Sequence, residues 1–139
     1  MDKDALAIEL AKKMYARDKA SQALGIEVSV VAAGAATATM AVRDEMVNGF
    51  DICHGGIVCA LGDTAFAFAC NAYGMQTVAS SVNADFIRPA KLGDTLTAAA
   101  TEDYRGRKRG FYSIAIRNQR DELVCMFRGC SVETGQPLA

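Results

Sequence analysis

The spacing of apolar residues near the start of the chain predicts an amphipathic helix over residues 5 to 15. Apolar residues recur there every three or four positions, and charged residues occupy the opposite face. This period is typical of a helix that lies on the surface of a domain. The apolar face consists of Leu6, Leu10, Ala11 and Met14.

A second and longer apolar segment predicts a central helix over about residues 55 to 73. The segment is apolar on nearly all sides and ends at Gly74, a residue type that favours the backbone conformation after a helix. A helix of this kind is enclosed by the rest of the protein. Its one charged side chain is Asp63, which is also the only one between Ile52 and Ala84.

Six further segments alternate or are rich in β-branched residues, as strands are. They cover residues 25–33, 35–42, 77–88, 95–104, 110–118 and 122–132. Gly34 joins the first two as a hairpin, and residues 43–53 are predicted to form a loop. The fold class is therefore α+β, with one antiparallel sheet of about six strands wrapped around the central helix.

Composition narrows the possible functions. A chain of 139 residues with 51% hydrophobic content fits a single domain, residues 1–139. Its net charge of −1 argues against nucleic acid or an anionic membrane surface as partner. Five cysteines without a C-x-x-C pair predict reduced, buried thiols in the cytoplasm rather than a disulfide framework or a zinc site. No export signal is visible, and the apolar run 57–70 is too short to span a membrane.

Asp63 is the strongest candidate for chemistry. A carboxylate in an apolar helix is costly unless it is paired or serves a site. In the middle of a helix it also has no free backbone N–H groups to cap. A functional role is therefore favoured over a structural one.

The pair Gly55-Gly56 opens the central helix, where the first N–H groups lack internal partners and the helix dipole favours negative charge. This arrangement predicts a site for an oxyanion, to which Asn48 could donate a second hydrogen bond. The glycines could equally serve only to lead a loop into a helix. His54, the only histidine, could be a structural hydrogen-bonding residue or a general base.

These residues carry a resemblance. Asn48, the block His54-Gly55-Gly56 and Asp63, followed by the segment Asp85-Phe-Ile-Arg-Pro-Ala-Lys-Leu-Gly-Asp94, resemble the hotdog-fold acyl-CoA thioesterases, in particular those of bacterial phenylacetate degradation. The resemblance implies a hotdog fold, in which a sheet wraps around a helix. It also implies that Asp63 is general base or nucleophile, that Gly55 N–H with Asn48 polarises the thioester carbonyl, and that His54 shapes this site.

In the family a serine or threonine on the strand after the helix helps to hold the attacking water. Ser81, eighteen residues after Asp63, is the candidate here, with Ser80 beside it. Neighbouring strand residues point to opposite faces, so only one of the two can reach the site. We choose Ser81, although both could be ordinary strand serines.

Coenzyme A carries phosphates, for which the chain offers two basic groups, Arg88 with Lys91 and the run Arg107, Lys108 and Arg109. Guanidinium groups suit phosphate, but charged turns are also common on solvated surfaces. No Gly-rich phosphate loop of the P-loop or dinucleotide kind occurs. The resemblance implies that hydrolysis needs no metal and no other cofactor, coenzyme A being part of the substrate.

The predicted function is hydrolysis of phenylacetyl-CoA or a related (hydroxy)arylacetyl-CoA in the cytoplasm. A hotdog (de)hydratase and a non-catalytic acyl-CoA sensor are the alternatives. Gly55 and Asp63 lie about 12 Å apart along one helix, so one carbonyl cannot contact both. We therefore predict a homodimer with shared active sites. We further expect two such dimers to associate into a homotetramer.

Overall fold

A computed structural model describes residues 2–138. Three helices are present: α1 (Lys3–Arg17), α2 (Lys19–Ala23) and α3 (Gly55–Cys70). Six strands accompany them: β1 (Glu27–Ala32), β2 (Ala35–Ala41), β3 (Met75–Phe86), β4 (Thr95–Arg105), β5 (Arg109–Arg117) and β6 (Leu123–Pro137). Within the described part of the chain, no helix combines the length and apolar character needed to cross a membrane.

The strands form one antiparallel sheet in the order β1-β2-β4-β5-β6-β3, and α3 contacts all six. The predicted α+β fold is confirmed, including the hairpin at Gly34, whose φ of 79° is in the region that glycine adopts readily. The core lies between α3 and the sheet. Its largest fully buried side chains include Phe66, Phe68 and Phe127.

Two glycines allow α3 to lie close to the sheet. A Cβ at Gly62 of α3 would be 2.9 Å from the Phe127 ring, and one at Gly129 of β6 would be 2.6 Å from the Phe66 ring. Real Cβ contacts are essentially never this short. The phenylalanine rings therefore fill the space that the missing side chains leave, which fixes the position of α3 on β6.

The C-terminal end of α3 is tied to β3 by a buried asparagine. The helix ends at Cys70, three residues earlier than predicted, because Asn71 takes up a capping position there. Its amide donates to the carbonyl of Thr77 at 2.9 Å, and its Oδ1 accepts from the Thr77 N–H at 2.8 Å. Helix and strand are thus held in a fixed relation.

The N-terminal helix is confirmed and is longer than predicted, because Asp2 caps its first turn by accepting from Asp4 N and Ala5 N. Sequence analysis missed α2, a five-residue helix whose N-cap is Asp18. It also missed the short 3-10 helix Asp44–Met46 inside the predicted loop. Such short elements have too few residues for a hydrophobic period to appear.

The prediction that α3 is enclosed on nearly all sides is wrong for the isolated chain. One face packs on the sheet, but Gly56 and Asp63 on the other face are exposed. The exposed face lies beside β3, an edge strand that pairs only with β6 and exposes Val78, Val82 and Phe86 by about half. An apolar surface is therefore left uncovered at this edge.

Candidate active site

The start of α3 presents an unpaired backbone donor. His54 is the N-cap, and its Nδ1 accepts from the Gly56 N–H at 2.9 Å. The N–H groups of Ile57 and Val58 bond to the His54 carbonyl. Among the residues described, nothing accepts a hydrogen bond from Gly55 N–H. This group, at the positive end of the helix dipole, is the one that can bind an oxyanion.

Asn48 lies in a tight loop just before α3. Its side-chain Oδ1 accepts from the backbone N–H of Phe50 at 2.9 Å and of Ile52 at 3.4 Å. The oxygen is thus occupied by the loop, while the amide NH2 has no acceptor within residues 2–138. The loop is closed by a bridge between Val47 and Cys53. These bonds hold Asn48 in place and leave its amide NH2 as a second potential donor.

Gly55 and Asn48 line one cavity of about 440 Å³, which we call the donor cavity. Phe86 lies over Gly55, where an added Cβ would be 3.2 Å from the ring. A larger residue at position 55 would therefore press against Phe86. The rest of the wall is mostly apolar and includes Ile52, Val58, Ile87 and Val124.

Asp63 lines a different cavity of about 320 Å³, the acid cavity, together with Met14, Phe66, Ala67, Cys70 and Val78. Its side chain is exposed in the isolated chain, yet burial by the surrounding protein raises its pKa. The desolvation is the better guide to its chemistry, because most residues that line this cavity are apolar and the polar ones are limited to Asn71, Gln76 and Thr77. A carboxylate with raised pKa and no stabilising hydrogen bond is well suited to accept a proton.

The donor cavity and the acid cavity share no lining residue. Gly55 and Asp63 are separated by about 12 Å along α3, as expected for eight residues of helix. The structure of one chain therefore brings Asn48, His54 and Gly55 together but leaves Asp63 apart from them.

The strand register separates Ser81 from Asp63. A bulge at Ser80 makes Ser81 pair with Cys130, which pairs in turn with Phe111 on β5. Directly paired residues point to the same face, and this is the outer face of the sheet, away from α3. Ser81 lines a cavity there with Asp103 and Phe111. The spacing of eighteen residues from Asp63, on which the choice of Ser81 is based, could not reveal the extra residue in the bulge. The predicted water-holding role of Ser81 therefore has no geometric support within the chain.

The two predicted basic groups lie in different places. Arg88 lines the donor cavity, and its Nη1 is 3.6 Å from Glu122 Oε2. Lys91 follows on the same loop and pairs with Ile52 through the backbone. The group Arg107, Lys108 and Arg109 lies at the β4–β5 turn, where Arg109 Nη1 donates to Ser80 Oγ at 3.2 Å.

Sequence analysis missed the role of Asp94. Its Oδ2 accepts from Lys91 N at 2.9 Å and its Oδ1 accepts from Gln119 Nε2 at 2.9 Å, and these hydrogen bonds hold its pKa below the usual value. Asp94 therefore fixes the loop that carries Arg88 and Lys91. The signal was present in the Gly93-Asp94 turn, but its partner Gln119 is distant in sequence.

All five cysteines are free thiols. Across residues 2–138, no three His, Cys, Asp or Glu side chains are grouped so that they could hold a metal ion. The groups at the two cavities include a carboxylate, backbone and amide donors, and a histidine that caps α3.

A hotdog sheet around α3, with backbone donors at the start of the helix and a lone carboxylate in its middle, defines a class of thioester hydrolases. The chain belongs to the thioesterase superfamily, whose sequence pattern matches residues 50–125.

Individual relatives sharpen this assignment. The acyl-coenzyme A thioesterase PaaI of Escherichia coli is 46% identical over 125 residues, which are 90% of this chain and 89% of that protein. A solved structure of the E. coli PaaI protein, from the phenylacetic acid degradation operon, has 43% identity and a TM-score of 0.95, covering 98% of this chain and 99% of the other. A variant of the phenylacetic acid degradation protein PaaI from Thermus thermophilus has 33% identity and a TM-score of 0.80, covering 84% of this chain and 99% of the other.

Proposed function

We propose that this protein hydrolyses phenylacetyl-CoA or a closely related (hydroxy)arylacetyl-CoA to the free acid and coenzyme A, as part of bacterial phenylacetate degradation. The observation that carries the proposal is the unpaired Gly55 N–H at the start of α3, beside the free amide of Asn48. Two donors that line one cavity suit the oxyanion of a tetrahedral intermediate. The similarity to PaaI proteins supports the substrate class.

In the proposed mechanism Asp63 takes a proton from water, which attacks the thioester carbonyl. The oxyanion that forms accepts hydrogen bonds from Gly55 N–H and Asn48 Nδ2. When the carbon–sulfur bond breaks, coenzyme A leaves as a thiolate and takes the proton that Asp63 holds. His54 positions Gly55 by accepting a hydrogen bond from Gly56 N–H. We propose the general-base role for Asp63, to which the raised pKa of its carboxyl group is suited.

We propose that each active site combines Asp63 of one chain with Asn48, His54 and Gly55 of a second. The 12 Å separation along α3 leaves no carbonyl position within reach of both in one chain. Exposed apolar residues on the edge strand β3 give the second chain a surface to cover. A twofold axis beside β3 would set two α3 helices antiparallel and bring the donor cavity of one chain to the acid cavity of its partner.

The position of Arg88 and Lys91 beside the donor cavity supports a role in binding the phosphates of coenzyme A. The basic turn with Arg107, Lys108 and Arg109 lies near the far end of α3 in the same chain. In the proposed antiparallel dimer this turn would approach the donor cavity of the partner. We propose that the phosphates are bound by groups from both chains.

We also propose that the enzyme acts in the cytoplasm as a homotetramer of two such dimers and requires neither a metal nor another cofactor. Hydrolysis of a thioester needs an oxyanion site and a base. The two donors and Asp63 supply both, and we therefore propose that no metal takes part. Full activity after treatment with a chelator, and a native mass of four chains, would support these points. Loss of activity that added metal restores would contradict the first.

The test of the function is a panel of aromatic and aliphatic acyl-CoA esters with detection of free thiol. We expect the highest kcat/KM for arylacetyl esters. Binding of acyl-CoA without thiol release would favour the sensor, and double-bond hydration without thiol release would favour the (de)hydratase. The membership in the thioesterase superfamily favours hydrolysis over both.

A further inference from the structure

The acid cavity has a neighbour on the side of α1. A second cavity of about 330 Å³, the α1 cavity, is lined by Leu10, Lys13, Met14, Arg17, Asp18, Gln76 and Leu138. Three of these residues, Met14, Gln76 and Leu138, also line the acid cavity. The two spaces are therefore adjacent, with Met14 of α1 on their common boundary.

The lining residues from α3 show that the acid cavity extends along the axis of this helix. Asp63, Ala67 and Cys70 follow one another at intervals of about one turn and all line the cavity, over about 10 Å of helix. Arg88 lines the donor cavity, and its positive charge suits this cavity for the coenzyme A part of the substrate. The apolar side chains of Phe66, Ala67 and Val78 in the acid cavity suit this cavity for the acyl group. An acyl group with its carbonyl at Asp63 would extend along α3 towards Met14.

Met14 is suited to close such a pocket. Its side chain is half-buried and packs against the core, and an unbranched methionine fills irregular gaps well. We propose that Met14 is the specificity-determining residue that ends the acyl pocket, separates it from the α1 cavity and limits the acyl group to about the length of phenylacetyl. This inference rests on the proposed function and adds the residue that sets acyl length.

The experiment compares kcat/KM for decanoyl-CoA and phenylacetyl-CoA in the wild type and in Met14→Ala. Shortening the side chain removes the part of the boundary that Met14 forms, so the ratio of decanoyl to phenylacetyl kcat/KM should rise by about tenfold or more. Met14→Leu conserves volume and should keep the ratio within about threefold of the wild type. Ile8→Ala is the control, because Ile8 is an exposed residue of the same helix that lines neither cavity.

The outcomes separate this inference from the proposed function. A wild type that hydrolyses neither thioester overturns both. A wild type that is active, with the same ratio in Met14→Ala as in Ile8→Ala, overturns the role of Met14 alone. If Met14→Ala does not fold, Met14→Val shortens the side chain less and should still raise the ratio by about threefold. An unchanged ratio in that variant overturns the inference equally.

Discussion

The two parts of the candidate site are fixed in opposite ways. At the start of α3, hydrogen bonds within the loop and to His54 Nδ1 hold the backbone in place, while Gly55 N–H and the Asn48 amide NH2 have no acceptor among residues 2–138. Asp63 lies in a mostly apolar cavity, where desolvation raises the pKa of its carboxyl group. The two donors are held in place by neighbouring polar groups that have hydrogen-bond partners. Asp63, in contrast, becomes a stronger base because few such groups stabilise its charge. Both environments are present in one chain, but they lie about 12 Å apart along α3.

Asp63→Asn removes the base and leaves the donors intact, so it should have the largest effect. We expect kcat for phenylacetyl-CoA to fall by about 100- to 10,000-fold. The melting temperature should not fall, because a carboxyl whose pKa is raised by folding makes the folded state less stable as the pH rises through that pKa. Glu9→Gln on the exposed face of α1 is a matched control. A variant with more than a third of wild-type activity would exclude Asp63 as the base.

Mixed dimers test whether the two environments come from different chains. Asn48→Ala alone should cost about 100- to 1,000-fold through loss of an oxyanion donor. When it is unfolded and refolded together with Asp63→Asn, about half of the dimers should contain one chain of each kind. Each such dimer has one intact site of two, so activity should recover to about a quarter of the wild type if the sites are independent. Mixed dimers shown by mass to be present, but as inactive as their parents, would place both residues in one chain's site.

Gly129→Ala should disturb the half of α3 that carries Asp63 and leave the donor end in place. The new Cβ would lie 2.6 Å from the ring of Phe66, three residues after Asp63. Overpacking of this kind costs about 1–3 kcal/mol, which should lower the melting temperature by several degrees. Gly49→Ala is the control, since nothing lies within 4 Å of its added Cβ. Equal melting temperatures for the two variants would show that Phe66 moves aside freely.

The pH dependence of kcat sharpens the contrast between the two environments. Asp63 must be ionised to act as a base, so activity should rise with pH through its pKa and then level off. Because burial raises that pKa, the acid limb should have its midpoint above the ~3.9 of a free aspartate. A midpoint at or below this value would mean that hydrogen bonds donated to Asp63 by the substrate or by a partner chain lower its pKa more than desolvation raises it.

The features that sequence analysis predicted correctly are those with a local signal. The period of α1 and the apolar run of α3 are visible in consecutive residues. A lone carboxylate in that run and a glycine pair at its start are local signals too, and they make Asp63 and Gly55 candidates for the site. The hotdog fold followed from the same motifs through their resemblance to a known family.

The features that it missed depend on residues far apart in the chain. Gly129 and Phe66 meet only because β6 packs on α3, and Asn71 bonds to Thr77 only because α3 ends where β3 begins. The exposed face of α3 is another example. The sequence of an apolar helix has the same pattern whether its own chain or a partner chain covers it. The bulge at Ser80 is the most consequential, because it changes which face the following residues occupy.

Ser81→Ala should have the smallest effect. It tests whether the pairing of β3 with β6 after the Ser80 bulge is kept in the active enzyme. Ser81 pairs with Cys130 on the outer face of the sheet, and a second chain at the β3 edge would continue the sheet without turning this face towards α3. We therefore expect kcat and KM for phenylacetyl-CoA within about threefold of the wild type, below the ~10²-fold loss typical of a residue that acts in proton transfer. Ser80→Ala is the matched variant, because it removes the contact with Arg109 at the bulge. A loss in Ser81→Ala comparable to that in Asp63→Asn would restore Ser81 to the site, and it would require β3 to pair without the bulge in the active dimer.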